Sequence, residues 1–383
     1  MIGGRLALRL DPAVLASVTA DRRSVLVTGT NGKSTVTALV AAALGPGGPV
    51  VTNATGANMT DGIVTALAAD RTSPVAALEV DEVYLQSVVE GTRPAALLVL
   101  NSSREYTRGV SLASTLEHWR RATVALPADC ATIINVDDPL VSWAFEDATN
   151  VVGVSGGLFW RQDAQLCPAC GGEHVWEGET WSCPDCGRRR RDPQWHVVHA
   201  EDGTWAVAHG ETELPLDVTV PGRTGPVGGA FALAAADALG VDLEAAAERI
   251  RAVSDVDGRY APLPLGKHCV RLLMLKNPAG WVEAIDVALT TGHPLVVAVD
   301  PFGPKDTATM WESPFERLEG REVRVTGGRS ADAVAIIEAA GVATVARPDI
   351  ASSVEDLPTG DVLVACNYPA FRRLSKQLRG GAS

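Results

Sequence analysis

One stretch constrains this chain more than any other: Val25-Leu26-Val27-Thr28-Gly29-Thr30-Asn31-Gly32-Lys33-Ser34-Thr35, an apolar run that ends in a glycine-rich turn and opens into a helical pattern, Val36 to Leu44. The backbone N–H groups of such a turn, with a helix N-terminus behind them, form a cradle for phosphate oxygens. In that arrangement Lys33 balances phosphate charge and the Ser34 hydroxyl reaches a magnesium ion. Gly29, Thr30, Asn31, Gly32 and Thr35 complete the loop. Strand, loop and helix fall in the order the mechanism needs. Glycine and asparagine also make ordinary turns, and the loop by itself indicates only a nucleotide site.

The surrounding pattern supports an α/β fold. Through residue 155 or so, short apolar runs at Val25 to Thr28, Pro49 to Asn53, Val75 to Val80, Ala95 to Leu100, Thr123 to Leu126 and Thr132 to Asn135 read as strands. Helical patterns such as Gly62 to Ala69 and Leu112 to Ala122 fit between them. Continuous apolar strands alternating with helices predict a parallel sheet covered on both faces, with ligands at the carboxyl ends of its strands. Three further motifs fall at such ends. Thr52 to Met59 is an asparagine-rich loop. Leu78-Glu79-Val80-Asp81-Glu82 delivers carboxylates, and Glu79 is the candidate magnesium ligand, since that ion prefers hard oxygen donors. Asn135-Val136-Asp137-Asp138-Pro139 has two readings: Asn135 and Asp138 hold a nucleoside through hydrogen bonds, or the segment is an Asx turn leading into a helix.

At 383 residues the chain predicts two or three domains, and 46% hydrophobic against 21% charged residues describes a globular protein with ample core. A formal net charge of -13 argues against a nucleic-acid partner. The basic run Arg188 to Arg191 stands against that balance, either as a solvated turn or as a phosphate or lipid-headgroup contact. Arg5, Arg9 and Asp11 interrupt the N-terminal apolar residues, so neither a signal peptide nor a spanning helix is expected, and the cytoplasm is the expected compartment.

Four of the seven cysteines form two knuckles, Cys167-Pro-Ala-Cys170 and Cys183-Pro-Asp-Cys186, with twelve residues between them. That spacing predicts a tetrahedral, structural zinc site of the ribbon type, with a redox or disulfide role as the alternative. The alternating segment Trp195 to Val220 would complete an inserted β module over residues 158 to 218 or so. Cys130, Cys269 and Cys366 lie in apolar contexts and read as buried free thiols. After Pro221 to Gly225, helical patterns Gly229 to Leu239 and Leu243 to Val253 return the chain to the first sheet. The division expected is an ATP-binding domain over residues 1–252 and a smaller α/β domain over 253–383. In the latter, apolar runs at Val270 to Leu275, Pro294 to Val299, Glu322 to Val325 and Val362 to Cys366 alternate with helices.

The shortened loop Gly29-Thr-Asn-Gly32-Lys33-Ser34-Thr35 resembles that of the Mur ligases and folylpolyglutamate synthases. Together with Glu79-Val-Asp81-Glu82, Asn135-Val-Asp137-Asp138-Pro139, the cysteine ribbon, Lys276-Asn277-Pro278-Ala279-Gly280 and Asp306-Thr-Ala-Thr-Met-Trp311, it resembles the MurT family over nearly the whole chain. Those proteins are the Mur-ligase-like subunits of lipid II isoglutaminyl synthase. The resemblance implies a Mur-ligase central domain carrying an inserted four-cysteine zinc ribbon, plus a smaller C-terminal α/β domain. It implies an ATP- and Mg2+-dependent ligase that converts the α-carboxylate of D-glutamate in the lipid II stem peptide to an acyl phosphate. Ammonia from a GatD-like glutaminase subunit, the heterodimer partner, then attacks that intermediate, and contact with membrane-bound substrate would be peripheral. By position it implies triphosphate and magnesium roles for Lys33, Ser34 and Glu79, nucleoside contacts at Asn135 and Asp138, and a phosphate contact from Arg259 at the hinge. Asp306 would complete the partner's Cys–His pair, while a local reading makes it a helix N-cap.

The chain departs from that family in three places. Asn101-Ser-Ser-Arg104-Glu105-Tyr-Thr-Arg108 keeps charge but loses the family pattern, Gly225-Pro-Val-Gly-Gly229 replaces a tyrosine- and asparagine-rich segment, and Ala261 replaces a glutamate. Two alternatives follow: the same ligase chemistry on another peptide or metabolite carboxylate, or a non-catalytic nucleotide-binding scaffold for a glutaminase.

Overall fold

Apolar strands with both faces hydrophobic must be covered twice, and in this chain they are. The computed structural model describes residues 2–45, 48–53, 57–105, 110–219, 222–253, 262–303 and 307–380. The chain divides into two compact units, Met1–Arg104 with Val110–Asp257, and Glu105–Gly109 with Gly258–Ser383.

The first unit is built on β1 (Arg23–Thr28), β2 (Val50–Thr52), β3 (Val75–Glu79), β4 (Ala96–Val99), β5 (Ala131–Asn135) and β6 (Val151–Ser155). A small hairpin, β7 (Val175–Glu177) and β8 (Thr180–Ser182), stands apart from the sheet, and β9 (Trp195–His199), β10 (Trp205–His209) and β11 (Thr212–Pro215) follow. The sheet order is β2-β3-β1-β4-β5-β6-β9-β10-β11. Pairing is parallel from β2 through β9 and antiparallel from β9 to β11. Alternate residues serve opposite faces. Val25, Val27, Leu98 and Ile133 pack with the helices Lys33–Ala43 and Thr224–Ala238, whereas Leu26, Leu78, Leu97 and Ile134 pack with Leu67, Val88 and Trp119.

Strand β1 lies between β3 and β4, so successive crossovers leave it in opposite directions and open a crevice at its carboxyl end. The register sets Val27 beside Glu79 and Thr28 beside Val99, which brings the phosphate-type loop, the acidic motif and the Asn101 segment to the same end of the sheet.

The second unit carries β12 (Pro262–Leu265), β13 (His268–Met274), β14 (Leu295–Ala298), β15 (Glu322–Thr326), β16 (Ala343–Ala346) and β17 (Gly360–Cys366), in the order β12-β13-β17-β14-β15-β16. All pairs are parallel except β12 with β13. The Lys276 to Gly280 stretch is a helix start: Asn277 caps the helix Pro278–Thr291 by accepting from the Gly280 N–H at 3.0 Å, with Pro278 in the first turn.

Two expectations need correction and a third is met in part. Thr123 to Leu126 is not a strand; Thr123 belongs to the helix Leu112–Ala125, its hydroxyl donates to the Trp119 carbonyl at 3.0 Å, and Val124 is 86% exposed. A four-residue apolar run does not distinguish a strand from a last helical turn. Trp195 to Val220 does not complete a separate β module. Strands β9 to β11 extend the main sheet because the edge of β6 needs backbone partners, and buried Trp195 and Val207 join the same core as Phe231. The arginine run is solvated in part: Arg189 and Arg191 are exposed, while Arg190 binds Asp137, Arg188 binds Glu146, and Arg191 donates to the Glu146 carbonyl. Strands β6, β12 and β16, which the apolar runs do not predict, complete the sheets.

The glycines of Gly225 to Gly229 have a packing reason. A Cβ on Gly228 would lie 3.1 Å from Leu39, and one on Gly229 would lie 2.2 Å from the buried side chain of Leu216. Their absence lets the helix Thr224–Ala238 approach Leu39 on the loop-bearing helix and Leu216 beyond β11. Gly229→Ala is expected to destabilise the first unit by about 1–3 kcal/mol through overpacking, read as a lower urea midpoint with an unchanged slope. An unchanged midpoint would show that Leu216 has room to move.

Candidate nucleotide site and cysteine cluster

The loop after β1 turns through two glycines with positive φ, Gly29 at +134° and Gly32 at +83°. Gly29 is also held by space, since a Cβ there would lie 3.0 Å from Leu100 and 3.1 Å from the Asn101 backbone. Gly32 caps the helix Lys33–Ala43, and among the described residues no side chain caps its N-terminus and no acidic residue occupies its first turn. Phosphate is the kind of ligand such an end favours.

Asn101 fixes the loop from the end of β4. Its amide accepts from the Asn31 N–H at 2.9 Å and donates to the Asn31 carbonyl at 3.1 Å, while its own carbonyl accepts from the Thr30 N–H at 3.0 Å. The Thr30 hydroxyl accepts from the Ser103 N–H at 3.0 Å. Thr35 is buried on the same helix.

The side chains that carry charge meet below this loop. Ser34 Oγ donates to Glu79 Oε2 at 2.6 Å, and Asn58 Nδ2 donates to Glu79 Oε1 at 3.0 Å. Asn53 grips the Glu79 backbone at both ends, each bond 2.8 Å long. Lys33 Nζ reaches the Gly29 and Thr30 carbonyls and lies 3.1 Å from Glu82 Oε1. Lys33 is 5% exposed and Glu79 and Glu82 are each 7% exposed. A hydroxyl and a carboxylate converging beside a lysine are a hard-oxygen donor set that suits magnesium, so Ser34 and Glu79 could hold that ion and Lys33 a phosphate.

Asn135 and Asp138 lie at the end of β5, and their side chains are engaged with backbone. Asn135 accepts from the Asp137 N–H at 2.9 Å. Asp138 caps the helix Pro139–Ala144, accepting from Leu140 and Val141, and accepts from the Ser102 N–H at 2.8 Å. Burial pushes its carboxyl up to about 6, against those three donors, which favour the ionised form. Arg104 is held by Asp163, whose carboxylate also accepts from the Arg104 N–H at 2.8 Å. Arg259, Asp306, Ala261 and Arg108 lie outside the described residues.

Glu82 and Asn101 are the residues the motif reading passed over, although both stand within stretches it singled out. Asp137 is another: fully buried, it accepts from Arg190 Nε at 2.6 Å, from Ser155 Oγ and from the Gly156 N–H at 2.9 Å. Trp181 Nε1 donates to the Val136 carbonyl at 2.9 Å, so the ribbon hairpin is tied to this loop twice.

The four sulfurs of Cys167, Cys170, Cys183 and Cys186 lie within 4.8 Å of one another. The two knuckles repeat the same turn: Gly171 N–H to the Cys167 carbonyl at 2.8 Å, and Gly187 N–H to the Cys183 carbonyl at 2.9 Å. Cys167 and Cys186 sulfurs are 3.7 Å apart and those of Cys170 and Cys183 3.5 Å apart. A tetrahedron with metal–sulfur bonds near 2.3 Å has edges of about 3.8 Å, whereas a disulfide brings two sulfurs to about 2.05 Å. The cluster therefore suits zinc, with all four positions filled by protein. The other thiols are poor nucleophiles. Burial pushes Cys130 up to about 12 and Cys366 higher still, and half-buried Cys269, expected to be buried, is raised by the same cause.

Two outcomes are expected. Cys186→Ser should lower bound zinc below one ion per chain by elemental analysis and lower the melting temperature; unchanged zinc content would dismiss the cluster as a metal site. Because the Asp138 carboxyl is raised above its unfolded value, its contribution to stability is present below about pH 4 and is lost as pH rises through about 6. Compared with Asp138→Asn in urea titrations, the wild type should lose stability across that window, and parallel pH profiles would count against the shift.

No protein-family model matches the chain. It is 25% identical over 350 residues to the MurT subunit of lipid II isoglutaminyl synthase (glutamine-hydrolyzing) from Streptococcus pneumoniae R6, spanning 84% of this chain and 77% of that protein. Among solved structures, MurF from Acinetobacter baumannii superposes with a TM-score of 0.74 at 14% identity, covering 98% of this chain and 80% of that one. MurF ligase from Thermotoga maritima, in complex with ADP, gives 0.64 at 14% identity over 97% and 84%. At that identity the structures speak for the fold alone, and the MurT match adds the relationship in sequence: the chain has the Mur-ligase fold and is a divergent relative of the MurT subunit.

Proposed function

We propose that the chain is an ATP-dependent carbon–nitrogen ligase of peptidoglycan-precursor chemistry, working as the synthetase subunit of a glutamine-dependent amidotransferase. The observation that supports this most directly is the meeting of Lys33, Ser34 and Glu79 beneath a glycine loop and an uncapped helix N-terminus. The relationship to the MurT subunit supplies the reaction class.

In this reading a carboxylate oxygen of the acceptor, the D-glutamate α-carboxylate of a lipid II stem peptide, attacks the γ-phosphorus of ATP, and ADP leaves. Ammonia then attacks the carbonyl carbon of the acyl phosphate, inorganic phosphate leaves, and the nitrogen gives up a proton. The chain's own work is positioning and charge balance. The loop N–H groups and Lys33 would hold the phosphates, and Ser34 and Glu79 would hold magnesium, whose charge offsets that of the transferring phosphoryl group. Asn135 and Asp138 would shape the nucleoside side through the loop they hold closed. The proposed division assigns nucleotide chemistry to residues 1–252, while Arg259 as a phosphate contact and Asp306 as the residue offered to a GatD-like glutaminase rest on the resemblance. A partner is required in this reading because the remaining thiols are buried or raised and none lies in a nucleophile elbow. Among the described residues no helix is long and apolar enough to cross a membrane, in keeping with a cytoplasmic enzyme that meets lipid-linked substrate at the surface.

A second reading keeps the chemistry and changes the acceptor to another peptide or metabolite carboxylate. The pinning of Arg104 by Asp163 favours it, because that arginine stands where the family carries its own charged pattern and its guanidinium is already engaged.

The test is ADP release with Mg-ATP, ammonium and a soluble stem peptide ending at D-glutamate. Peptide-dependent ADP, with product lighter by about one mass unit as hydroxyl gives way to amine, is expected, and Lys33→Ala should lower the rate by at least about 100-fold. Turnover that survives Lys33→Ala would remove the loop from the reaction. ATP binding without ADP release on any stem peptide would move the acceptor to another carboxylate or leave a scaffold.

A further inference from the structure

We propose that Glu82 makes nucleotide binding conditional on the metal, acting as the internal counter-ion of Lys33 and excluding phosphate that arrives without a divalent cation. The inference rests on the loop being a nucleotide site and assigns a residue that the motif reading leaves without a role.

An ammonium has three N–H donors. In the structure, Lys33 Nζ faces the Gly29 carbonyl, the Thr30 carbonyl at 3.4 Å and Glu82 Oε1 at 3.1 Å. A phosphate oxygen bonding this ammonium competes with these partners, and among the described residues Glu82 is the one that carries charge. The two side chains are 6% and 9% exposed, so little water screens their attraction. Glu82 is held where it is by its own turn: Asp81 accepts from the Val83 N–H at 3.2 Å and donates its backbone N–H to the Asn58 carbonyl at 2.9 Å, which locks the turn Glu82–Tyr84 onto the loop that also carries Asn58 to Glu79.

The charge count gives the consequence. Glu79 and Glu82 both face the loop side chains; Lys33 is paired with Glu82, and Glu79 accepts from Ser34 and Asn58. A bare triphosphate would add several negative charges beside two carboxylates and compete for one lysine. The same triphosphate carrying magnesium brings the missing positive charge, for which Ser34 and Glu79 are already aimed. Glu82 is thus a specificity-determining residue: its carboxylate raises the barrier against free nucleotide and leaves the metal complex comparatively favoured. A purely structural Glu82 would support both forms equally.

Glu82→Gln separates the two roles, because the amide oxygen still accepts from Lys33 while the negative charge is gone. The measurement is the affinity for ATP in EDTA and for Mg-ATP, by equilibrium dialysis of the full chain, wild type against Glu82→Gln, with thermal melting followed alongside. The wild type is expected to bind Mg-ATP far more tightly than ATP in EDTA. The variant should gain at least about tenfold in metal-free affinity and change by less than about threefold for Mg-ATP, so that the ratio falls. A parallel loss in both, or an unmoved ratio, overturns the proposal while leaving the nucleotide site intact. Failure of the wild type to bind Mg-ATP overturns the site reading and the proposal together. Should Glu82→Gln melt below the assay temperature, Glu82→Met, of similar length and without charge, must lower the ratio the same way, and an unshifted ratio overturns the proposal.

Discussion

Everything at the candidate nucleotide site depends on keeping one buried ammonium and two buried carboxylates together at the end of an apolar sheet. Charges removed from water are tolerated only when they are paired and hydrogen-bonded. Lys33 has Glu82 and two carbonyls, and Glu79 has Ser34 and Asn58. The position of β1 between β3 and β4 makes this possible, because the loop and the acidic motif emerge side by side from neighbouring strands. The apolar sheet supplies stability, and its topology supplies the meeting point.

Two adjacent aspartates show how differently the fold treats the same side chain. Asp137 has a cation, Arg190, and several donors besides; Asp138 has backbone N–H groups only, and burial raises its carboxyl to about 6. The first is thereby a joint between the cysteine ribbon and the end of β5. The second is a joint between the end of β5 and the Ser102 backbone, from which Ser103 reaches Thr30 in the phosphate-type loop. A run of hydrogen bonds therefore connects the ribbon to the loop through residues that no single motif contains.

The motifs with strict local geometry were legible in sequence. Gly29 and Gly32 require backbone that only glycine adopts easily, and the two cysteine knuckles require their own tight turns, so both patterns are written in consecutive residues. What could not be read was decided by distant partners. Thr123 to Leu126 has the composition of a strand but finds its hydrogen bonds along a helix. Trp195 to Val220 alternates as expected, yet alternation does not say which edge a strand joins, and β6 had an edge to offer. The ion pairs of Arg190 and Arg188 could not be read from the run itself because Asp137 and Glu146 are more than forty residues away in sequence. Glu82 was in view as part of a motif, and only the fold shows that it faces Lys33.

The same distinction bears on how far this chain has diverged. Gly225 to Gly229 reads as a lost functional segment when set against a family pattern, but Gly228 and Gly229 answer a steric demand from Leu39 and Leu216. The small residues let the helix Thr224–Ala238 pack closely on the helix that carries Lys33 and Ser34. Arg104 follows the same logic: its charge is retained, but Asp163 holds it. Both places are held by internal contacts, and Lys33, Ser34 and Glu79 keep the residue types that suit phosphate and magnesium.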